Sequence, residues 1–157
     1  MSVEGDRAAM TRGERAEALF RQGYNCSQSV AVAYADLLQL PAEVAARLVS
    51  GFGGGMSRLR EVCGAFSGVV FVLSALDGYG DPKDLEGKKA LYARVQKLAE
   101  QYRAAAGSLI CRDLLGLGAG KSAPIPEART EEYYQKRPCA ALCRLAAELL
   151  ERELSEN

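Results

Sequence analysis

The chain has 157 residues, which is enough for one domain with a substantial core and too few for two comfortable ones. Twenty basic side chains balance twenty acidic ones, which argues against nucleic acid or an anionic membrane surface as the main partner, since both favour a basic excess. We therefore expect a single domain over 1–157 with frayed ends at 1–10 and 155–157. Five cysteines and no histidine mean that any redox or metal chemistry must use thiols, helped at most by carboxylates.

The first two predicted helices each have a recognisable start. Thr11 and Glu14 have the spacing of a capping box, and Gly23 stands where a glycine commonly ends a helix. Asn25, with Gln28 three residues later, predicts the start of a second helix.

A glycine-rich break separates the third predicted helix from the fourth. Pro41 opens the third helix, and the glycines of 51–55 end it and exclude regular structure. The fourth helix, about 61–75, is apolar on all sides, which is typical of a buried central helix. A strand over 69–73 is the competing interpretation, but the apolar run is too long for it.

The second half of the chain predicts one long helix, a loop and an interrupted final helix. The apolar face of about 81–106 repeats with helical spacing, and 116–129 is rich in glycine, proline and alanine. Thr130 starts the last helical stretch, Pro138 interrupts it, and 139–154 is helical again. The predicted fold is all-α, a compact bundle of about five to seven helices around the buried central helix.

Four cysteines stand at or near predicted helix starts, namely Cys26, Cys63, Cys111 and Cys139. Free N–H groups and the helix dipole at such a position favour the thiolate, which is both the nucleophile and the metal ligand. The alternative is that the cysteines are small buried hydrophobic residues of the core. Cys143, one turn after Cys139, is expected to pack in the core, with a role as resolving thiol left open.

Two glycine patterns allow close approach of other groups. Gly64 and Gly68 lie four residues apart on the central helix, where they permit tight helix packing, a bound cofactor, or both. The segment 51–55, followed by Arg58 and Arg60, allows a weak anion site at a helix start. The glycines of 116–120 do not form a phosphate loop, because position 115 is leucine and no strand precedes them.

The order of the cysteine segments along the chain is typical of a known family. Over about residues 12–152, the sequence resembles the redox-active protein family named for its C, GCAxxG, C, C pattern. Val62 precedes Cys63, which gives the CGAxxG form of the motif. The matching segments are Asn25-Cys26-Ser27-Gln28-Ser29-Val30, the glycine-rich 51–56, Cys63-Gly64-Ala65-Phe66-Ser67-Gly68, Cys111-Arg112-Asp113-Leu114 and Cys139.

The resemblance implies a small bacterial or archaeal protein whose four characteristic cysteines bind a prosthetic group such as an iron–sulfur cluster. It also implies a link with transport or oxidoreductase functions, and hence an oxidoreductase or transporter as partner protein. Some family members carry a twin-arginine signal, which this N-terminus lacks. Together with the absence of an apolar run of about 20 residues, this predicts a cytoplasmic protein without membrane insertion.

Three functions remain open from the sequence, and it does not decide whether the protein is an enzyme. In the leading hypothesis, Cys26, Cys63, Cys111 and Cys139 hold an iron–sulfur cluster or a zinc ion, with Gly64 and Gly68 giving the cofactor room. In the second, the cysteines perform thiol–disulfide exchange without metal, with Cys63 as nucleophile and Cys26 as a further catalytic thiol. In the third, the protein is a non-enzymatic helical scaffold or partner-binding protein with core cysteines.

Overall fold

The structure, a computed structural model, describes residues 10–156 and has ten helices in that range. The only strand-like pairing within these residues is an isolated antiparallel bridge between Val62 and Ile110. None of the helices there is both long and apolar enough to cross a membrane. In chain order the helices are α1 (Arg12–Arg21), α2 (Cys26–Ala33), α3 (Ala35–Leu38), α4 (Ala42–Leu48), α5 (Gly53–Met56), α6 (Gly64–Asp77), α7 (Leu85–Ala106), α8 (Cys111–Leu114), α9 (Glu131–Lys136) and α10 (Cys139–Glu156), with a 3-10 turn at Ser50–Phe52.

The all-α prediction is confirmed, although the helices outnumber the five to seven expected. The excess comes from short segments such as α3 and α5, which are four residues long and too brief to show a helical period. The segment 116–129 contains no helix, as predicted. At the C-terminus, α10 includes Ser155 and Glu156, for which fraying was predicted. Residues 1–9 and 157, the remainder of the predicted frayed ends, lie outside the described residues.

The predicted caps of the first two helices are confirmed. The Thr11 hydroxyl accepts a hydrogen bond from the backbone N–H of Glu14 at 3.1 Å. The side chain of Asn25 accepts from the backbone N–H of Gln28 at 2.9 Å, and the Gln28 side chain accepts from the backbone N–H of Asn25 at 3.1 Å. This reciprocal capping box fixes the start of α2.

Helix α6 begins at Gly64, three residues later than the sequence suggests. The reason is the bridge, because the backbone N–H of Cys63 donates to the Leu109 carbonyl at 2.7 Å and that of Cys111 donates to the Glu61 carbonyl at 2.6 Å. These bonds hold 61–63 in an extended conformation. The bridge also places Cys63 and Cys111 diagonally across a paired segment, a relation that brings side chains within about 8 Å.

The core lies where α1, α2, α6 and α10 meet. A Cβ added at Gly68 would stand 2.8 Å from the Cβ of Val30, so the backbones of α2 and α6 touch there. This is the tight helix packing that the glycine spacing allows. Tyr34, which follows α2, joins this part of the core to α10, since its buried hydroxyl donates to the carbonyl of Ala147 at 2.7 Å. Close contact of α2 with α6 brings Cys26 beside Gly64, where an added Cβ would lie 3.2 Å from the Cβ of Cys26.

A buried carboxylate joins α7 to α10. The side chain of Glu153 is 3% exposed and accepts hydrogen bonds from Arg94 Nε at 3.1 Å and Lys97 Nζ at 2.8 Å. Burial raises the pKa of Glu153, but the bonds from Lys97 and Arg94 outweigh it, so its pKa is lowered. A carboxyl group with a lowered pKa stabilises the folded protein at neutral pH, and this contribution is lost as the pH falls through that pKa.

We therefore expect Glu153→Gln to lower the free energy of unfolding by about 2 kcal/mol at pH 7 and by less at pH 3, where the wild-type carboxyl group is itself becoming protonated. Urea unfolding at the two pH values measures the difference. Glu156→Gln is the control, because Glu156 is exposed and lies 3.7 Å from the same Lys97. An equal loss for Glu153→Gln at both pH values would contradict the ion-pair account.

Candidate thiol site

A cavity of about 450 Å³ lies at the starts of α2, α6, α8 and α10. All four cysteines that the sequence singles out line it, namely Cys26, Cys63, Cys111 and Cys139. Cys26, Cys111 and Cys139 are the first residues of their helices, and Cys63 directly precedes α6. The helix starts thus gather the thiols, although the cysteines are separated by up to 113 residues along the chain.

Cys26 and Cys139 interact directly. Their thiols share a hydrogen bond that raises the pKa of Cys139, and burial raises it further, while Arg137 and Arg129 lower it in part. The same bond lowers the pKa of Cys26, but a hydrogen bond with Cys143 and burial together outweigh it, so that the pKa of Cys26 is raised well above its usual value. Both groups are therefore thiols at neutral pH.

Cys63 lies beside a buried tyrosine. Its Sγ is 3.2 Å from the hydroxyl of Tyr102. Burial raises the pKa of Cys63, and the Tyr102 hydroxyl and the backbone amides of Phe66 and Ala65 only partly offset this. The helix start does act on the sulfur as the sequence suggests, but the loss of water around it has the larger effect. The predicted preference for thiolate is therefore wrong for Cys26, Cys63 and Cys139.

Cys111 has a different neighbour from the other cysteines. Its sulfur accepts a hydrogen bond from Nη1 of Arg60 at 3.6 Å, and the Arg60 side chain also donates from Nε to the hydroxyl of Ser122 at 2.9 Å. Arg60 is only 5% exposed. A cation therefore lies on the Cys111 side of the cavity, away from the hydrogen-bonded pair of Cys26 and Cys139.

Cys143 lies behind the cavity wall. It is fully buried, and its thiol donates to the backbone carbonyl of Cys26 at 3.8 Å. Packing, which the sequence favours for this residue, accounts for its position. Its hydrogen bond to the Cys26 carbonyl nevertheless makes Cys143 a neighbour of Cys26.

The glycine-rich segment closes one side of the cavity. Gly54 and Gly55 have φ of +70° and +65°, and the positive φ values continue through Met56, Ser57 and Arg58. Helix α5 is therefore a left-handed turn, a conformation that costs a residue other than glycine roughly 1–2 kcal/mol. Such strained backbone is concentrated at functional sites.

The glycines in this turn allow contact with the cysteine segments. A Cβ on Gly55 would lie 2.5 Å from the Cβ of Cys111, and a Cβ on Gly53 would clash with the side chain of Asn25. These glycines bring the turn against the starts of α2 and α8. Of the two glycines predicted to serve a cofactor, Gly64 lines the cavity and Gly68 packs against Val30.

The cavity thiols do not form a site for a single metal ion. Within residues 10–156, no three side chains among cysteine, aspartate and glutamate form a group that could hold one metal ion. A structural zinc ion requires four ligands, with sulfur at about 2.3 Å from the metal. The cysteines have the right chemistry for zinc, but their placement does not fit a single ion.

Other cavity residues could not be anticipated from local sequence patterns. The wall includes an apolar part with Phe20, Leu142 and Tyr133, and a charged part with four arginines and one glutamate. Two of these arginines, Arg58 and Arg60, are exceptions, because the sequence predicts a weak anion site with them. The charged wall residues are Arg58, Arg60, Arg129, Arg137 and Glu127.

Comparison with known proteins agrees with the cysteine pattern. The sequence model of the family described as "Putative redox-active protein (C_GCAxxG_C_C)" matches residues 24–153. The chain belongs to this family. No curated protein and no solved structure matches the chain. The matched range contains the four cysteines that line the cavity as well as Cys143.

Proposed function

We propose that the protein is a thiol redox protein in which Cys26 and Cys139 cycle between dithiol and disulfide. The observation that carries this proposal is that Cys26 and Cys139 begin two helices that pack together and line the same cavity, close enough for each thiol to shift the pKa of the other. Thiols that are close neighbours need only a small movement to form the S–S bond of about 2.05 Å. Membership of a family described as redox-active supports the same chemistry.

Cys26 is the attacking thiol in this proposal. It is partly exposed, whereas Cys63, Cys111 and Cys139 are buried. Cys26 loses its proton as its sulfur attacks an external disulfide R–S–S–R, which forms a mixed disulfide and releases one R–S⁻ that takes up a proton. Cys139 then loses its proton as its sulfur attacks the Cys26 sulfur, which forms the internal disulfide and releases the second R–S⁻. Two electrons pass to the external disulfide, and the two thiol protons end on the two released thiols.

Cys63, the nucleophile that the sequence analysis favours, receives a supporting role in this proposal. Its sulfur is buried against the Tyr102 hydroxyl, 3.2 Å away, whereas Cys26 is partly exposed. We assign Cys63 and Cys111 to the cavity wall. Cys63→Ser is therefore the matched control for the redox pair, because it removes a cavity thiol without removing Cys26 or Cys139.

A redox titration tests the proposal. The protein is equilibrated with mixtures of reduced and oxidised dithiothreitol, and the free thiols are alkylated and counted by mass spectrometry. Five free thiols should fall to three in a single two-electron step, and Cys63→Ser should keep a two-thiol step. A thiol count that stays at five in excess oxidant would contradict the proposal.

An iron–sulfur cluster in the cavity is the second candidate. The favouring observation is that four cysteines, the usual ligands of such clusters, line one cavity of about 450 Å³. Cys26, Cys63, Cys111 and Cys139 would hold the cluster, which would supply one-electron transfer. Iron and acid-labile sulfide in anaerobically purified protein, with visible absorbance, would favour this candidate. Colourless protein without iron or sulfide would rule it out.

The cellular setting is part of the proposal. Both chemistries start from reduced thiols, which the cytoplasm maintains. We therefore place the protein in the cytoplasm, with an oxidoreductase or a transporter as the protein partner that supplies or uses its electrons.

A further inference from the structure

Arg60 is a buried cation on the cavity wall with no carboxylate of the described residues within 4.0 Å. It is 5% exposed, and its side chain donates hydrogen bonds to the hydroxyl group of Ser122 and the thiol of Cys111. Among residues 10–156, no aspartate or glutamate oxygen forms an ion pair with it within 4.0 Å. Removing a charge from water without a counter-charge is costly, so this site favours an anion.

The one carboxylate of the cavity wall, Glu127, interacts most strongly with an arginine other than Arg60. Glu127 pairs with Arg137 at 2.5 Å and lies 3.9 Å from Arg58. Arg129 donates to the carbonyls of Phe20 and Tyr24, which places it at the end of α1. With four arginines and one glutamate, the charged wall residues carry a formal excess of three positive charges.

The size of the cavity limits what the anion can be. A volume of about 450 Å³ lies within the range of roughly 300–1,000 Å³ that is typical of small-molecule sites. The wall combines the arginines with apolar side chains such as Phe20 and Leu142. Such a wall fits a small molecule that has both a short apolar part and a charged group.

We infer that the external disulfide is a small molecule that carries carboxylate groups, with one carboxylate on Arg60 and its S–S bond toward Cys26. This inference rests on the proposed function and names the substrate class of the same site. The exchange step is the one given above, with carboxylate-bearing groups as R, so two electrons and two protons produce two small carboxylate-bearing thiols. A guanidinium group binds a carboxylate through charge-assisted and often paired hydrogen bonds.

Binding is tested separately from chemistry in a double variant, Cys26→Ser with Cys139→Ser, which cannot exchange disulfides through the proposed pair. The probes are 3,3′-dithiodipropionate, which carries two carboxylates, and its uncharged diamide of nearly the same shape. By calorimetry, the dicarboxylate should bind at least about tenfold more tightly than the diamide. Equal affinities would overturn the inference.

The second arm of the binding experiment removes the positive charge of Arg60. Arg60→Gln in the same background should reduce the preference for the dicarboxylate to less than about threefold. Arg144→Gln, which removes an equal charge from an exposed position outside the cavity, should keep the full preference. A preference that survives Arg60→Gln in protein with an unchanged circular dichroism spectrum would contradict the assignment. If Arg60→Gln fails to fold, the comparison of the two probes still decides.

The two proposals fail in different ways. Selective binding of the dicarboxylate without any two-thiol oxidation in the wild-type protein would refute the redox pair and leave the anion site intact. Two-thiol oxidation that proceeds equally fast with the dicarboxylate and the diamide, with no binding preference, would refute the substrate class and leave the redox pair intact.

Discussion

Replacing Cys139 by serine is expected to abolish the two-electron couple. The change is close to isosteric, so the start of α10 keeps its packing, but the partner thiol of Cys26 is lost. In the dithiothreitol titration, all four remaining thiols should stay reduced to alkylation across the range. Cys26→Ser should have the same effect, because either thiol is required for the disulfide.

Cys143→Ser is the matched control for this experiment. Cys143 lies one turn from Cys139 on the same helix and is also a neighbour of Cys26, but it is fully buried. We expect this variant to retain the two-thiol step. If Cys143→Ser abolished the couple and Cys139→Ser retained it, the resolving thiol would be Cys143 and the proposed pair would be wrong.

The second large effect is expected from Gly55→Ala. The φ of +65° already disfavours a side chain at this position, and the new Cβ would lie 2.5 Å from the Cβ of Cys111 and 2.8 Å from the backbone nitrogen of Glu61. Neither neighbour is the free end of a flexible side chain. We expect a loss of about 3 kcal/mol in the free energy of unfolding, measured by urea denaturation.

Gly118→Ala is the control for the loss of a glycine. It lies in the loop that follows α8, and nothing stands within 4 Å of its added Cβ. Its effect should be within about 0.5 kcal/mol. A second variant, Gly55→Ala with Cys111→Gly, removes the contact between the two Cβ atoms and should recover part of the loss. Equal stability of Gly55→Ala and Gly118→Ala would show that the turn does not pack closely against Cys111 as described.

Local sequence signals account for the parts of the fold that could be predicted. The capping residues Thr11 and Asn25 act on backbone groups within three positions, so their effect can be derived from the sequence alone. The bridge between Val62 and Ile110 joins segments 48 residues apart. No repeating pattern of residues marks such a bridge, so it could not be predicted from the sequence. For this reason the start of α6 was predicted three residues too early.

The cysteines show the same division between local and tertiary effects. Their positions at helix starts follow from the sequence, but the direction of the pKa shift does not. The pKa of Cys63 depends on burial and on Tyr102, which lies 39 residues away. The contact of Arg60 with Cys111 likewise depends on the left-handed turn that follows Gly53, which no pattern of side chains specifies.

Disulfide mapping tests the central claim most directly. Reduced protein is treated with a small disulfide, the remaining thiols are alkylated, and peptides are analysed by mass spectrometry without reduction. The account predicts one dominant linked pair, Cys26 with Cys139, and alkylated Cys63, Cys111 and Cys143. A dominant link between any other two cysteines, or five alkylated thiols after treatment with excess disulfide, would contradict it.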